Sequence, residues 1–583
     1  MSSITGNNLL TGGKTVIPIA ILAILILVVL ILYLCRGFLI ARLLGLPPPQ
    51  NKVSVTKDIK IAMPDGAELM TDHYAPKGEV PCPTILIRTP YGKSGLSVFV
   101  YRFAERGYHI IVQDVRGRFD SGGTYSPEIN EAVDGKATLD WIAKQPWFNG
   151  ALGTWGLSYL GYVQWAITGD APPFLKAMVP IMSSPQHFSH THPEGAFALE
   201  LRLYWILALK LKEEWYKLSF MEKIMRMSST LSGKEFEKAK QAFMHLPLLE
   251  ADVEITGEEV PIYREMISNT NPDLPYWRER DHSANVSQIN APVFLIGGWY
   301  DIILRCVLDN YATLKAAGKN PYITIGPWTH SQPQPTIVGL KDGLIWFDAH
   351  LKGDRSRLRG KPVRINVMGV NEWREMDEWP PKSQKTQYFL HSDAKLLPEE
   401  PSSESVPDSY KYDPADPTPS IGGALIEMKG GGPKDNSELE ARSDVLCYTT
   451  PPLEEDLEVI GFVSLNLFVR SSLPHTDFFG RLCDVDPKGR SINVCDGLCR
   501  IEPGKGEPQE DGSLKIEVDM WATAYRFRKG NSLRLQVSSG AHPRWSRNLG
   551  TGEPVPTGTR MEVAEQTIYH DAEHASALIL PVT

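Results

Sequence analysis

No C-x-x-C pair occurs among the seven cysteines, at positions 35, 82, 306, 447, 483, 495 and 499. The chain therefore lacks the close thiol pair from which many zinc sites are built. Cys495 and Cys499 come nearest, in the strand-like stretch SINVCDGLC. Four residues of strand cover about 13 Å, too far for a disulfide. Free thiols suit a reducing compartment. A basic excess is also missing: 60 Lys and Arg face 69 Asp and Glu, a net charge of −9. A surface that neutralises phosphates needs the opposite sign, which excludes nucleic acid as a partner. There is no internal repeat. Charged residues at 22% and hydrophobic ones at 42% are not the composition of a disordered chain. At 583 residues the chain exceeds one core, so several domains are expected.

Long apolar runs are absent with one exception. Residues 16–35 read VIPIAILAILILVVLILYLC, without a charge. As a helix this run spans about 30 Å, the thickness of a hydrocarbon core. It is longer than the apolar part of a signal peptide and ends in bulky residues rather than a small-x-small cleavage site. The expectation is a retained N-terminal transmembrane helix, with the membrane as a partner, inside an anchor segment of residues 1–45. Lys14 precedes the run while Arg36, Arg42 and Lys52 come after it, which places the large domain on the cytoplasmic side.

Beyond the linker GLPPPQNK the texture alternates strand and helix. TILIRTPY and HIIVQDVRG are short β-branched runs of the buried parallel kind, and SVFVYRFAERG between them is amphipathic. Such alternation predicts a parallel sheet with helices on both faces. This α/β core is expected over residues 50–182 and again over 289–360. Residues 183–288 break the rhythm with Leu-, Lys-, Glu- and Met-rich helical sequence, ALELRLYWILALKLKEEWYKLSFMEKIMRM. They are expected to form a helical cap. Trp205, Trp215, Met221, Met225 and Met227 read as core of those helices, or, more sharply, as the lining of a substrate pocket. Residues 361–583 carry short alternating strands between Gly, Pro and Asp turns, the pattern of a β-sandwich or jelly roll.

The chemistry centres on GTWGLSYLGY, residues 153–162. A serine on a sharp strand-to-helix turn becomes a nucleophile when a histidine takes its proton. The α/β-hydrolase arrangement draws that histidine and an acid from later strand ends, in the order Ser, Asp, His. Ser158, Asp301 at the end of VFLIGGWYD and His330 at the end of YITIGPWTH meet that order. Each has a plainer alternative: Ser158 a turn serine, Asp301 a helix N-cap before IILRCVL, His330 a surface histidine. Asp114, after HIIVQ, is a rival acid. In Ser158's motif the second glycine, Gly161, stands one place later than in G-x-S-x-G.

Together RTPYGK, VQDVRGRFDSGG, GTWGLSYLG, GGWYD, GPWTH, HTDFFGRLCDVDPKGR, WATAYRFRKGNSLRLQVSS and YHDAEHASALILPV carry a resemblance that covers nearly all of residues 53–583. The chain resembles the S15 family of serine hydrolases, which includes X-prolyl dipeptidyl peptidase, cocaine esterase of the CocE/NonD type and α-amino-acid ester hydrolase. The family's nucleophile motif is G-x-S-Y-x-G, so the late glycine is its own pattern. The resemblance implies an α/β-hydrolase core, an inserted helical cap and a C-terminal jelly roll. It implies Ser158 as nucleophile, His330 as general base and acid, and Asp301 as the group orienting the imidazole. It further implies an oxyanion hole from the Tyr91 hydroxyl and the Tyr159 backbone N–H. No metal or cofactor is implied. The family's amino-ester hydrolases hold a substrate ammonium with two carboxylates shortly after the catalytic Asp; here Ile302, Ile303 and Leu304 stand there. The resulting expectation is a membrane-anchored serine hydrolase of small-molecule carboxylic esters, with amides as a second class. An X-prolyl dipeptidyl peptidase and a non-catalytic binding protein of the same fold are the alternatives.

Overall fold

The computed structural model describes residues 35, 37–78, 81–219, 221–223, 225, 240–427 and 429–583. The first sheet has ten strands. In chain order they are β1 (Val53–Ala62), β2 (Glu68–Pro76), β3 (Cys82–Thr89), β4 (His109–Asp114), β5 (Phe148–Leu157), β6 (Leu175–Ile181), β7 (Phe294–Tyr300), β8 (Tyr322–Thr329), β9 (Val363–Val367) and β10 (Glu372–Met376). Across the sheet they run β1-β2-β4-β3-β5-β6-β7-β8-β9-β10. From β4 to β9 every pair is parallel. Parallel strands are covered on both faces, which explains why β4 and β7 are buried along their whole length. One face packs against helices Ser97–Ala104 and Gln334–Leu351, through contacts such as Phe103 against Trp155 of β5 at 5.7 Å.

Strands β9 and β10 are a correction to the expected boundary. The segment RINVMG reads by texture as the start of the β-sandwich. It instead pairs in parallel with β8 and turns back as an antiparallel hairpin, ending the first sheet at its edge. A parallel edge strand and its hairpin carry the same alternation as a sandwich strand, so periodicity cannot separate them.

The described part of residues 183–288 is helical, with Leu199–Lys217 its longest element. Trp205 is buried there, whereas Trp215, Met221 and Met225 are exposed. The reading of these three as core is therefore wrong. Met227 lies outside the described residues.

Gln384 to Val582 form a twelve-stranded sheet whose pairs are antiparallel apart from one parallel contact, Lys395 with Thr449. Its long strand Leu457–Ser471 pairs with three others. Alternation along it turns Leu465, Leu467 and Val469 inward. These residues share one apolar core with Trp299 and Val367 of the first sheet and Val307 of the helix Leu304–Ala316. The Trp299 ring lies tilted against Trp379 with centroids 5.3 Å apart, and its indole donates to the Asn366 carbonyl at 2.7 Å. Each fully buried side chain of this size stabilises the junction by roughly 2 kcal/mol. The two sheets thus form one body.

The expected transmembrane helix is not supported. Among the described residues no helix is long and apolar enough to cross a membrane. The run itself, up to residue 34, lies outside the described residues. The segment just beyond it is seated on the protein: residues 37–43 are helical, and Ala41 and Leu46 are buried in the cluster that holds Phe103 and Trp346. Length and hydropathy alone suggested the span, and neither distinguishes a bilayer from a protein surface. All seven cysteines are free.

Candidate active site

Strand β5 ends at Leu157, and helix Tyr159–Ala166 begins two residues later. Ser158 makes the whole turn between them, at φ 59° and ψ −121°. A non-glycine residue in this region is strained by about 1–3 kcal/mol and persists only where its surroundings hold it. Here the Ser158 N–H donates to the Ile181 carbonyl at 2.9 Å, and its carbonyl accepts from Gly161 and Tyr162. Two glycines make the room. A Cβ at Gly156 would stand 2.3 Å from the Leu160 Cβ, and one at Gly161 2.3 Å from the Ser183 hydroxyl. Gly161→Ala is expected to displace Ser183, which also accepts from the Trp165 indole at 3.0 Å, and to destabilise the protein by about 1–3 kcal/mol. A thermal unfolding curve with an unchanged midpoint would contradict that.

The three residues expected to act together are brought together. His330 follows β8 and is buried. Its Nε2 lies 2.9 Å from Ser158 Oγ, and its Nδ1 lies 2.8 Å from Asp301 Oδ2. Both contacts are met by the tautomer with its proton on Nδ1: that N–H donates to Asp301, and Nε2 accepts from the serine hydroxyl. Asp301 follows β7 and is 0% exposed. Its Oδ1 accepts the Ile303 N–H at 2.6 Å, just before helix Leu304–Ala316. The N-cap alternative is not met, since the N-cap position is Ile303 and carries no side-chain cap bond; one oxygen of Asp301 instead holds the turn before the helix while the other faces the imidazole. Asp114 is elsewhere. It accepts the Lys93 backbone N–H at 2.7 Å, its carbonyl accepts from Ser121, and burial pushes its pKa up to about 7.

Tyr91 sits on the turn after β3 and, with Ser158 and His330, lines a cavity of about 450 Å³. Its hydroxyl oxygen accepts from the Trp205 indole N–H at 3.1 Å. Because that indole can only donate, the phenolic proton of Tyr91 remains free for another acceptor. Burial pushes the Tyr91 pKa up to about 12, so the proton stays in place at neutral pH. The Tyr159 N–H occupies the first position of its helix, where no intrahelical partner exists. The Tyr159 phenol is engaged elsewhere, donating to Glu131 at 2.8 Å and accepting from the Glu128 N–H at 2.9 Å.

Sequence reasoning misses several lining residues. The cap supplies Arg202 and Tyr204, and the segment after β6 supplies His187 and His190. His187 Nδ1 lies 2.5 Å from Glu128, and burial draws the His190 pKa well below the usual imidazole range. Ile426, from the C-terminal domain, closes one wall. A usable signal was present in ALELRLYWILAL: Glu200 and Arg202 are ionisable yet sit among apolar residues on every side of the helix, which a surface helix avoids. Among the described residues no three His, Cys, Asp or Glu side chains are grouped as metal ligands.

The model of the X-Pro dipeptidyl-peptidase (S15 family) matches residues 65–332. That of the X-Pro dipeptidyl-peptidase C-terminal non-catalytic domain matches residues 359–579. Cocaine esterase of Rhodococcus sp. (strain MB1 Bresler) is 31% identical over 577 residues, covering 91% of this chain and 98% of that protein. The chain belongs to the S15 family. As an S15 member it is a serine hydrolase acting on esters or peptides. A putative serine esterase of Mycobacterium bovis is 24% identical over 620 residues, covering 90% of this chain and 94% of that protein. Among solved structures, an α-amino acid ester hydrolase has the S15 chain's fold with a TM-score of 0.76 at 21% identity, covering 92% and 97% of the two chains. An aminopeptidase from a marine sediment archaeon (Thaumarchaeota archaeon) has a TM-score of 0.78 at 22% identity, covering 91% and 97%.

Proposed function

We propose that this S15 protein hydrolyses carboxylic esters through an acyl-enzyme on Ser158. The contact chain Ser158–His330–Asp301, opening into the cavity that Tyr91 also lines, carries this reading. Ser158 Oγ attacks the ester carbonyl while its proton passes to His330 Nε2. The imidazolium is stabilised by Asp301. Negative charge gathers on the former carbonyl oxygen, which the Tyr91 hydroxyl and the Tyr159 N–H are placed to meet. The intermediate collapses as His330 returns the proton to the leaving alkoxide. Water, activated by the same imidazole, then releases the acid.

Each preorganised oxyanion donor lowers the barrier by about 3 kcal/mol. Tyr91→Phe removes one donor and leaves the Trp205 N–H without its acceptor. Its kcat should fall about 10²-fold with KM little changed. An unchanged kcat would remove Tyr91 from the oxyanion hole.

Ester rather than X-prolyl peptide cleavage is supported by the cavity's charge. A dipeptidyl peptidase must hold a substrate's N-terminal ammonium, which calls for a carboxylate in the wall. No Asp or Glu is among the described residues lining the cavity, and Ile302 and Ile303 stand just after Asp301. The direct test is a fluorophosphonate probe, with the labelled peptide identified by mass spectrometry, alongside chromogenic esters and X-Pro anilides. Labelling of Ser158 with ester turnover supports the proposal. Turnover of X-Pro anilides alone would replace it.

A further inference from the structure

Arg202 is a buried cation in the wall of the catalytic cavity, and no carboxylate pairs with it among the described residues. It projects from helix Leu199–Lys217 and is 3% exposed. Its Nη2 donates to the Thr191 hydroxyl, and its Nε has no hydrogen-bond partner. Burial draws its pKa down to about 10, which still leaves it charged at neutral pH. An unpaired charge out of water is costly and is normally met by an opposite charge.

The surrounding charges do not supply one. Glu128 is the carboxylate whose field reaches Arg202. It is already held by His187 at 2.5 Å and by Arg280 at 4.0 Å. Glu128 with Arg202 and Arg280, one carboxylate and two guanidiniums, carries one positive charge in excess. Lys212, at the same cavity, adds a second cation, its Nζ 5.7 Å from the centre of the Tyr91 ring.

A planar guanidinium matches the two oxygens of a carboxylate, and in a dry wall the pair is stronger than in water. We propose that Arg202 receives a carboxylate carried by the substrate, so that the preferred esters of this enzyme are anionic. The charge sits either on the acyl half, as in a half-ester of a dicarboxylic acid, or on the alcohol half. This rests on the reading of Ser158 as an ester-cleaving nucleophile. A site built around such a partner rejects the neutral isostere, because the buried cation is then left unmet.

The test uses matched pairs on the full chain. For the acyl half, 4-methylumbelliferyl half-esters of adipate and suberate are compared with the hexanoate and octanoate esters. For the alcohol half, 3-acetoxybenzoate is compared with its methyl ester. We expect kcat/KM to favour the anionic member of one pair by about tenfold or more. In Arg202→Gln that anionic-to-neutral ratio should fall about 30-fold, and Arg202→Lys should recover part of it. Taking the ratio cancels any general loss of activity, and fluorophosphonate labelling of Ser158 reports whether each variant's site is intact. Wild-type preference for the neutral member of both pairs overturns the proposal, as does a ratio that Arg202→Gln leaves unchanged. If Ser158 labels and neutral esters turn over without an anionic preference, only this proposal fails. If Ser158 neither labels nor turns over any ester, the esterase reading fails with it.

Discussion

Ser158→Ala lowers kcat for a chromogenic ester by about 10⁵–10⁶-fold. The hydroxyl removed is the only atom of the site that forms a bond to the substrate, so no neighbour replaces it. His330 stays on Asp301 at 2.8 Å, and the Tyr91 and Tyr159 donors keep their places. Those groups retain a residual acceleration of about 10³–10⁴ over water. The turn itself persists, since the backbone contacts of Ser158 to Ile181, Gly161 and Tyr162 do not involve the side chain. The measurement is an initial-rate assay beside a melting curve: activity gone, midpoint close to wild type. Turnover near the wild-type rate would sink the mechanism.

Asp301→Asn is expected to cost about 10⁴-fold in kcat, and the turn contact to Ile303 explains why so small a change matters. The Ile303 N–H requires an acceptor at Oδ1. An asparagine that keeps its oxygen there must turn its NH₂ toward His330. Nδ1 then becomes the acceptor, the proton moves to Nε2, and the imidazole can no longer take the proton of Ser158. Activity that stays full in Asp301→Asn would exclude it as the orienting acid.

The three residues of the contact chain were legible because each is a polar side chain just beyond an apolar strand of a parallel sheet. In such sheets these ends gather on one edge. Tyr91 was legible only through family resemblance; as sequence it is an aromatic at a strand end. Its partner Trp205 lies 114 positions away, and no local pattern links the two. Arg202 was hidden for a different reason. Helical periodicity describes which face is apolar, and this helix is buried on several faces, against neighbouring helices and the C-terminal domain. Strand β9 was assigned to the wrong sheet because alternation does not encode which neighbour a strand pairs with.

The cavity wall at Ile426 is fastened from both sides. Glu200 accepts the Ile426 and Glu427 N–H groups at 3.1 and 2.8 Å, and the Ser331 hydroxyl donates to the Ile426 carbonyl at 2.5 Å. The residues that react are complete by position 330, but the chamber they work in is not closed until a segment almost 100 positions further along has arrived. The pocket that receives a substrate is thus shared property: the first sheet supplies the groups that react, and the docked C-terminal domain supplies part of the enclosure.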